Sequence, residues 1–271
     1  MPELAEVEYF RKRWNPGLGR KVVGVRLNPK ARVGRGVDAK ALAQALTGAK
    51  LLESFAAAKQ MAFRFAGGAW LGVHLGMTGR LEAGDAEREP TPYDHFRLTM
   101  AGGRELVFVD PRQFGRIQFW RGEGVPPWWA KIPAAILSDE FTPGLVAAFL
   151  RRRARTSIKA VLLMQERFPG IGNWMADEVL WRAGFHPEAK AGAFGPLSVR
   201  KLYRTLREVC ADAMQVIGKD WGDPPASWLF NHRWKDGGSC PRTKEPLHRA
   251  EVGGRTTCWS PARQRLGAER R

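Results

Sequence analysis

Cysteine is scarce: the 271 residues hold three, Cys210, Cys240 and Cys258. An odd trio builds no disulfide framework, which points to a reducing compartment. Long apolar runs are also missing. The longest, such as LVAAFL and AVLLM, fall far short of the ~20 residues that cross a bilayer, so no transmembrane helix is expected. The N-terminal MPELAEVEYF is acidic and amphipathic and lacks the basic and apolar regions of a secretory signal. No repeat period is visible. Acidic residues are outnumbered, 27 Asp and Glu against 44 Lys and Arg, for a formal charge of +17. That imbalance favours a polyanionic partner, with nucleic acid ahead of an acidic membrane surface. The cations are interleaved with 11 Trp and 14 Phe, which suits a folded surface able to stack on bases more than a disordered tail.

The apolar pattern changes once along the chain. After a helix over residues 3–13, the segments KVVGVRL, MAFRFA, AWLGVHLGM, HFRLTM, ELVFVD and RIQFW read as strands separated by Gly, Pro and Asp turns, and together as a β-sandwich. The stretch GEGVPPWWAKIP has no helical period and marks a boundary. Beyond it, DEFTPGLVAAFLRRR, TSIKAVLLMQERF, NWMADEVLWRA and SVRKLYRTLREVCADAMQVI carry apolar residues at three- and four-residue spacings, as helices do. Thr156 or Ser157 is placed to cap the second of these. From about Val252 strand character returns, before a basic tail, RLGAERR, that reads as unstructured.

Two local features carry chemistry. In FPGIGNWMADEVLWRAGFHP, Pro169 to Gly172 break one helix and Asn173 starts the next. The resulting helix, two turns and helix offers backbone amides to a phosphate or serves as a plain interhelical turn. At the N-terminus, removal of Met1 would leave Pro2 as a secondary amine able to attack a sugar C1′, with Glu3 beside it as a proton donor. Taken alone, the same pair reads as a small second residue and a helix-terminal charge.

The combination points further. PELAEVE at the N-terminus, Lys59 opening a strand, HLGMTGRL, DPRQFG, GIGNWMADEVLWRAGFHP and GGRTT resemble, in order and over nearly the whole chain, the formamidopyrimidine-DNA glycosylase and endonuclease VIII family of bifunctional repair enzymes. The resemblance implies an α+β fold with an N-terminal β-sandwich over 1–125, a linker over 126–137, and a helix-two-turn-helix domain over 138–271 with a zincless hairpin finger near 232–264. It implies Pro2 as nucleophile, Glu3 as acid, and Lys59 beside the scissile phosphates, with Glu6 and Glu178 as supporting acids. His74, Asn173, Lys159 and Arg255 are implied as DNA-backbone contacts. Met77, Arg112 and Phe114 are implied to fill the space left by an extruded nucleotide, although Met77 and Phe114 also read as ordinary core residues. The implied partner is damaged double-stranded DNA, engaged by a monomer without a cofactor, in a bacterial cytoplasm or a eukaryotic nucleus.

Departures from the family pattern are informative. A four-cysteine zinc ribbon needs two C-x-x-C corners, yet here they read Cys240-Pro241-Arg242-Thr243 and Ser260-Pro261-Ala262-Arg263. Cys258 is out of register, so a hairpin without metal, resembling the plant-type branch, is expected. Ala5 replaces a usual second proline, and Gln113 removes a charge from the intercalating loop. The short connection GKDWGDPPA leaves little chain to cap 8-oxoguanine, so formamidopyrimidines and hydantoins are expected ahead of 8-oxoguanine as substrates. A non-catalytic nucleic-acid binder and a lesion sensor that does not cut are the competing readings. Pro2-Glu3 at the terminus argues against the pure binder.

Overall fold

Edge and centre positions sort the strands of the N-terminal half. In the computed structural model, which describes residues 1–85 and 88–267, the chain divides after Ile132 into two compact units. The first contains α1 (Leu4–Lys12), β1 (Val22–Leu27), α2 (Ala39–Leu46), β2 (Leu51–Ala57), β3 (Gln60–Phe65), β4 (Ala69–His74), β5 (Arg80–Asp85), β6 (Asp94–Met100), β7 (Arg104–Val109), β8 (Arg116–Arg121) and α3 (Pro127–Ala130). Two four-stranded antiparallel sheets result, ordered β1-β6-β7-β5 and β2-β3-β4-β8. Their inner faces supply Phe63, Phe65, Leu71 and Val73 from one sheet and Phe96, Leu98, Leu106 and Phe108 from the other. Strand alternation puts these residues on one side of each sheet and so makes the sandwich.

Trp14, which follows α1, is fully buried and ties the helix to the sandwich. Its indole Nε1 donates to the carbonyls of Glu82 at 3.1 Å and Val107 at 3.3 Å, and its ring lies 4.7 Å from that of Phe63. The boundary stretch is not purely extended. Its prolines open the single turn α3, and Trp129 joins Phe55 and Trp70 in an aromatic row.

The second unit holds α4 (Pro143–Arg152), α5 (Ile158–Leu162), α6 (Asn173–Ala183), α7 (Pro196–Asp220) and a hairpin of β9 (His248–Val252) and β10 (Arg255–Trp259). Ser157 occupies the N-cap of α5 but makes no capping bond with its side chain. The first amides of that helix instead donate to the carbonyls of Ala189 at 2.8 Å and Pro187 at 3.1 Å. Helix α7 runs three residues past Ile217 before Trp221 closes it in the left-handed conformation, so the connection to the following 3-10 turn (Leu229–His232) is shorter still than the sequence suggests. It is also pinned: Asn231 Nδ2 donates to the carbonyls of Pro224 and Pro225 at 2.8 and 2.9 Å, and His232 Nε2 bonds that of Ala226 at 2.9 Å. From residue 268 the basic tail lies outside the described residues.

Because Trp14 combines a buried ring with a shared hydrogen bond, Trp14→Ala should lower unfolding free energy by about 3–5 kcal/mol. Urea denaturation measures this, and a loss under about 1 kcal/mol would show that the indole is replaceable.

Candidate functional site

In the first unit the expected nucleophile and acid sit at the start of α1. Glu3 is the N-cap and only 3% exposed, while Pro2 is half-buried. Glu3 and Glu6 form a reciprocal capping box, in which Glu6 Oε2 accepts the Glu3 amide at 3.2 Å. Glu6 therefore fixes the backbone that presents Pro2. Ala5 packs fully buried inside the helix, so the missing second proline leaves the helix start intact.

Lys59 is buried at the turn between β2 and β3, just after Ala58, whose φ is +55°. Register pairs Gln60 with His74 at the end of β4, which brings the ammonium and the imidazole to the same end of the sheet. Burial, and then the Lys59 charge, hold the His74 pKa below its usual 6.5. Nδ1 of His74 accepts the Gly76 amide at 3.1 Å. In the neutral ring that bond leaves the proton on Nε2, as a donor.

The expected intercalating residues occupy two interlocked loops. Met77 is 47% and Phe114 51% exposed, which removes the reading of either as a core residue. The Arg112 guanidinium lies 4.8 Å over the Phe114 ring, a cation–π contact that orders both side chains. Gly76 has φ +64°, and a Cβ there would come 2.3 Å from the Phe114 carbonyl carbon, so only glycine lets the loops approach so closely. Asp110, which sequence reasoning did not single out, organises both. Its fully buried carboxylate accepts Thr78 Oγ1 at 2.8 Å, the Arg112 amide at 3.3 Å and the Gly115 amide at 2.7 Å. The signal available was the acid at the head of DPRQFG. Gln113 is likewise more than a lost charge: in the left-handed region at φ +53°, it accepts the Arg32 amide through Oε1 at 2.9 Å.

The second unit carries the rest. Gln165 shapes the turns between α5 and α6, donating to the carbonyls of Leu163 and Ile171 and accepting the Gly170 amide. Asn173 opens α6, and its Nδ2 donates to the Thr256 carbonyl on β10 at 2.8 Å. Gly253 and Gly254, with φ +62° and +74°, form the primed two-residue turn that matches strand twist. This leaves Arg255 exposed at the start of β10. Lys159 corrects the expectation of a backbone contact. It is 0% exposed and ion-paired with Asp177, with Nζ also donating to the Asn173 carbonyl at 2.8 Å, so it cannot meet a phosphate directly. Glu178 is fully buried, accepting Arg182 Nε at 2.8 Å and the Phe230 amide at 3.1 Å. Burial raises its pKa, against Arg182.

The residues at the former ribbon corners do not fit a zinc ion. Cys240 and Cys258 lie in an apolar cluster with Trp181, Leu229 and Leu247, and Cys240 Sγ accepts Trp181 Nε1 at 3.4 Å. Burial, and then the Asp177 charge, push the Cys258 thiol up to about 12, whereas Cys240, against burial, is lowered to about 7 by hydrogen bonds led by that from Thr243, so only one of the two is near the thiolate that zinc requires. At the second corner, the Ser260 amide donates to Gln264 Oε1 at 2.8 Å, and Arg263 lies over the Trp181 ring. Among the described residues, no three His, Cys, Asp or Glu side chains are grouped to hold a metal.

Comparison with known proteins adds independent findings. The family model for the formamidopyrimidine-DNA glycosylase N-terminal domain matches residues 1–117, and that for the H2TH domain of the same enzyme matches residues 133–221. A formamidopyrimidine-DNA glycosylase of Thermus thermophilus is 35% identical over 286 residues, which span 98% of this chain and all 100% of the relative. One from Alkalilimnicola ehrlichii is 34% identical over 280 residues, with 98% and 100% covered. The crystal structure of the Thermus thermophilus MutM (Fpg) protein superposes with a TM-score of 0.81 at 34% identity, covering 98% of this chain and 100% of that one. Lactococcus lactis formamidopyrimidine-DNA glycosylase, non-covalently bound to DNA containing an AP site, gives 0.84 at 26% identity, with 97% and 99% covered.

His74 supplies a pH test. Its folded pKa lies below 6.5, so the unfolded chain binds the proton first on acidification. The stability contribution is whole above 6.5 and is lost as pH falls toward the folded value. NMR titration should find the ring more than half neutral at pH 6.5, and Lys59→Met should raise the pKa without restoring it fully, because burial is the larger cause. An unchanged His74 pKa in that variant would break the Lys59–His74 coupling.

Proposed function

Because the chain belongs to the formamidopyrimidine-DNA glycosylase family, we propose that Pro2 and Glu3 carry its chemistry and that Met77, Arg112 and Phe114 enter the duplex in place of the damaged nucleotide. The enzyme is a DNA glycosylase of base excision repair with associated AP lyase activity. The observation that carries the residue assignment is the exposed Met77, Arg112 and Phe114 on loops held by buried Asp110, in the same unit as the buried Glu3 that follows Pro2. An apolar pair left in water on ordered loops is what an intercalating wedge requires.

The reaction begins with Met1 removed, since an amide nitrogen has its lone pair delocalised. The Pro2 amine attacks C1′, the glycosidic bond breaks with its electron pair leaving on the base, and the proton that the Pro2 nitrogen loses passes to the departing base. Glu3 gives a proton to O4′ as the sugar ring opens, and an iminium ion remains between Pro2 and C1′. That ion acidifies the C2′ proton. Its loss expels the 3′ phosphate, and a second elimination expels the 5′ phosphate. Lys59 and the Nε2–H of His74 stabilise the departing phosphates. Arg255 grips the backbone through the hairpin, and Asn173 serves the same face by holding Thr256. The enzyme acts on damaged duplex DNA as a monomer.

Borohydride should trap the iminium and fix the processed protein to abasic DNA, with the adduct on residue 2. Glu3→Gln should spare lesion binding and slow base removal by about 100-fold or more. Correctly processed protein that yields no adduct would leave a lesion sensor in place of the lyase.

Substrate choice follows from the pinned connection after α7. With little chain to close over an extruded base, hydantoins should be excised faster than 8-oxoguanine opposite cytosine in single-turnover assays on matched duplexes. An equal or faster 8-oxoguanine rate refutes the argument.

A further inference from the structure

Asp177 lies one turn into α6 and is 1% exposed. One of its oxygens takes the Lys159 ammonium. The other takes Arg233 Nε at 3.1 Å, Arg233 Nη2 at 2.6 Å and the Cys258 amide at 3.0 Å. Lys159 Nζ also donates to the carbonyl of Asn173, the residue whose side chain holds Thr256. One carboxylate therefore links α5, α6, the residue after the 3-10 turn, and β10.

We propose that Asp177, with Lys159 and Arg233, is the positioning centre of the hairpin and sets where Arg255 meets the DNA backbone. A buried ionic cluster is weak evidence of stability, because apolar replacements of like volume are often neutral. What the cluster supplies that apolar packing does not is direction. Its bond to the Cys258 amide fixes β10 against α6 three residues from Arg255. Asn173 repeats that bond at Thr256, and at Gly253 a Cβ would come 2.7 Å from the Ala160 side chain. The inner edge of the hairpin is thus held at 253, 256 and 258, while Arg255 stays in solvent.

The functional half of the proposal rests on the reading of Arg255 as a phosphate contact, and the test separates the two. The full chain is used, with a duplex carrying a tetrahydrofuran abasic analogue as probe. In wild type, Arg255→Ala should weaken binding about tenfold and reduce the slope of log affinity on log salt by about one. In an Asp177→Asn background the same substitution should change affinity less than about twofold, the coupling that non-additive neighbours show. Hydrogen exchange without DNA should show faster exchange at the β9 and β10 amides, Cys258 included, with the α4 and α7 amides unchanged. Should Asp177→Asn fail to fold, the apolar set Lys159→Met, Asp177→Leu and Arg233→Met keeps the volume without the charges and should lose the Arg255 effect in the same way. Exchange that rises uniformly, hairpin amides that stay protected, or an Arg255 effect that persists in these backgrounds each overturns the positioning role. If Arg255→Ala has no effect in wild type, the phosphate reading and the functional half fall together, and the exchange data alone decide whether Asp177 holds the hairpin.

Discussion

A carboxylate taken out of water must be met by donors, and in each unit of this protein the donors it collects belong to a functional loop. Asp110 gathers Thr78 and the Arg112 and Gly115 amides, so the loops bearing Met77 and Phe114 cannot drift apart. Asp177 gathers Lys159, Arg233 and the Cys258 amide, so the hairpin bearing Arg255 is tied to α6. The side chains that reach into solvent thus stand on backbone fixed from beneath. Binding to DNA gains from such order, because little loop entropy remains to be lost.

Charge is divided along the same lines. Arg112 and Arg255 are exposed, whereas Lys59 and Lys159 are buried. Lys159 is compensated by the Asp177 carboxylate and the Asn173 carbonyl, and is thereby committed to structure. Lys59 lies at the same end of the sheet as an imidazole whose pKa is held down by burial first and by the Lys59 charge second.

Much of this was legible in the sequence where information is local. Six strands with clear alternation, the helical second half and the ordered motifs all correspond to observed elements. The missed strands, β2 (LLESFAA) and β5 (RLEAGD), are sheet edges like the legible β1 and β8, but they carry Ala, Gly, Glu and Asp where those have β-branched and aromatic residues, so the strand signal thins. Helix α2 was missed as a short, alanine-rich segment. Met77, Arg112, Phe114 and Arg255 lie exposed at turns, which is compatible with the roles that the motifs imply for them. The burial of Lys159 was not legible, since whether a lysine is at the surface depends on Asp177 and Arg233, which are distant in sequence. Gln113 shows the same limit: its partner is the Arg32 amide, in a segment no local pattern connects to DPRQFG.

The geometry of the Asp177 cluster also dictates an order of assembly. Its donors come from α5, from the segment after the 3-10 turn and from β10, so no two neighbouring elements can complete it. A nascent chain can form α6 and even the two-glycine hairpin by local contacts, but these stay unregistered until Arg233 and Cys258 close on the same carboxylate, a late step because long loops must be shut first. Placement of the hairpin therefore waits on contacts from distant parts of the second unit, and a chain lacking them would hold its arginine without the means to aim it.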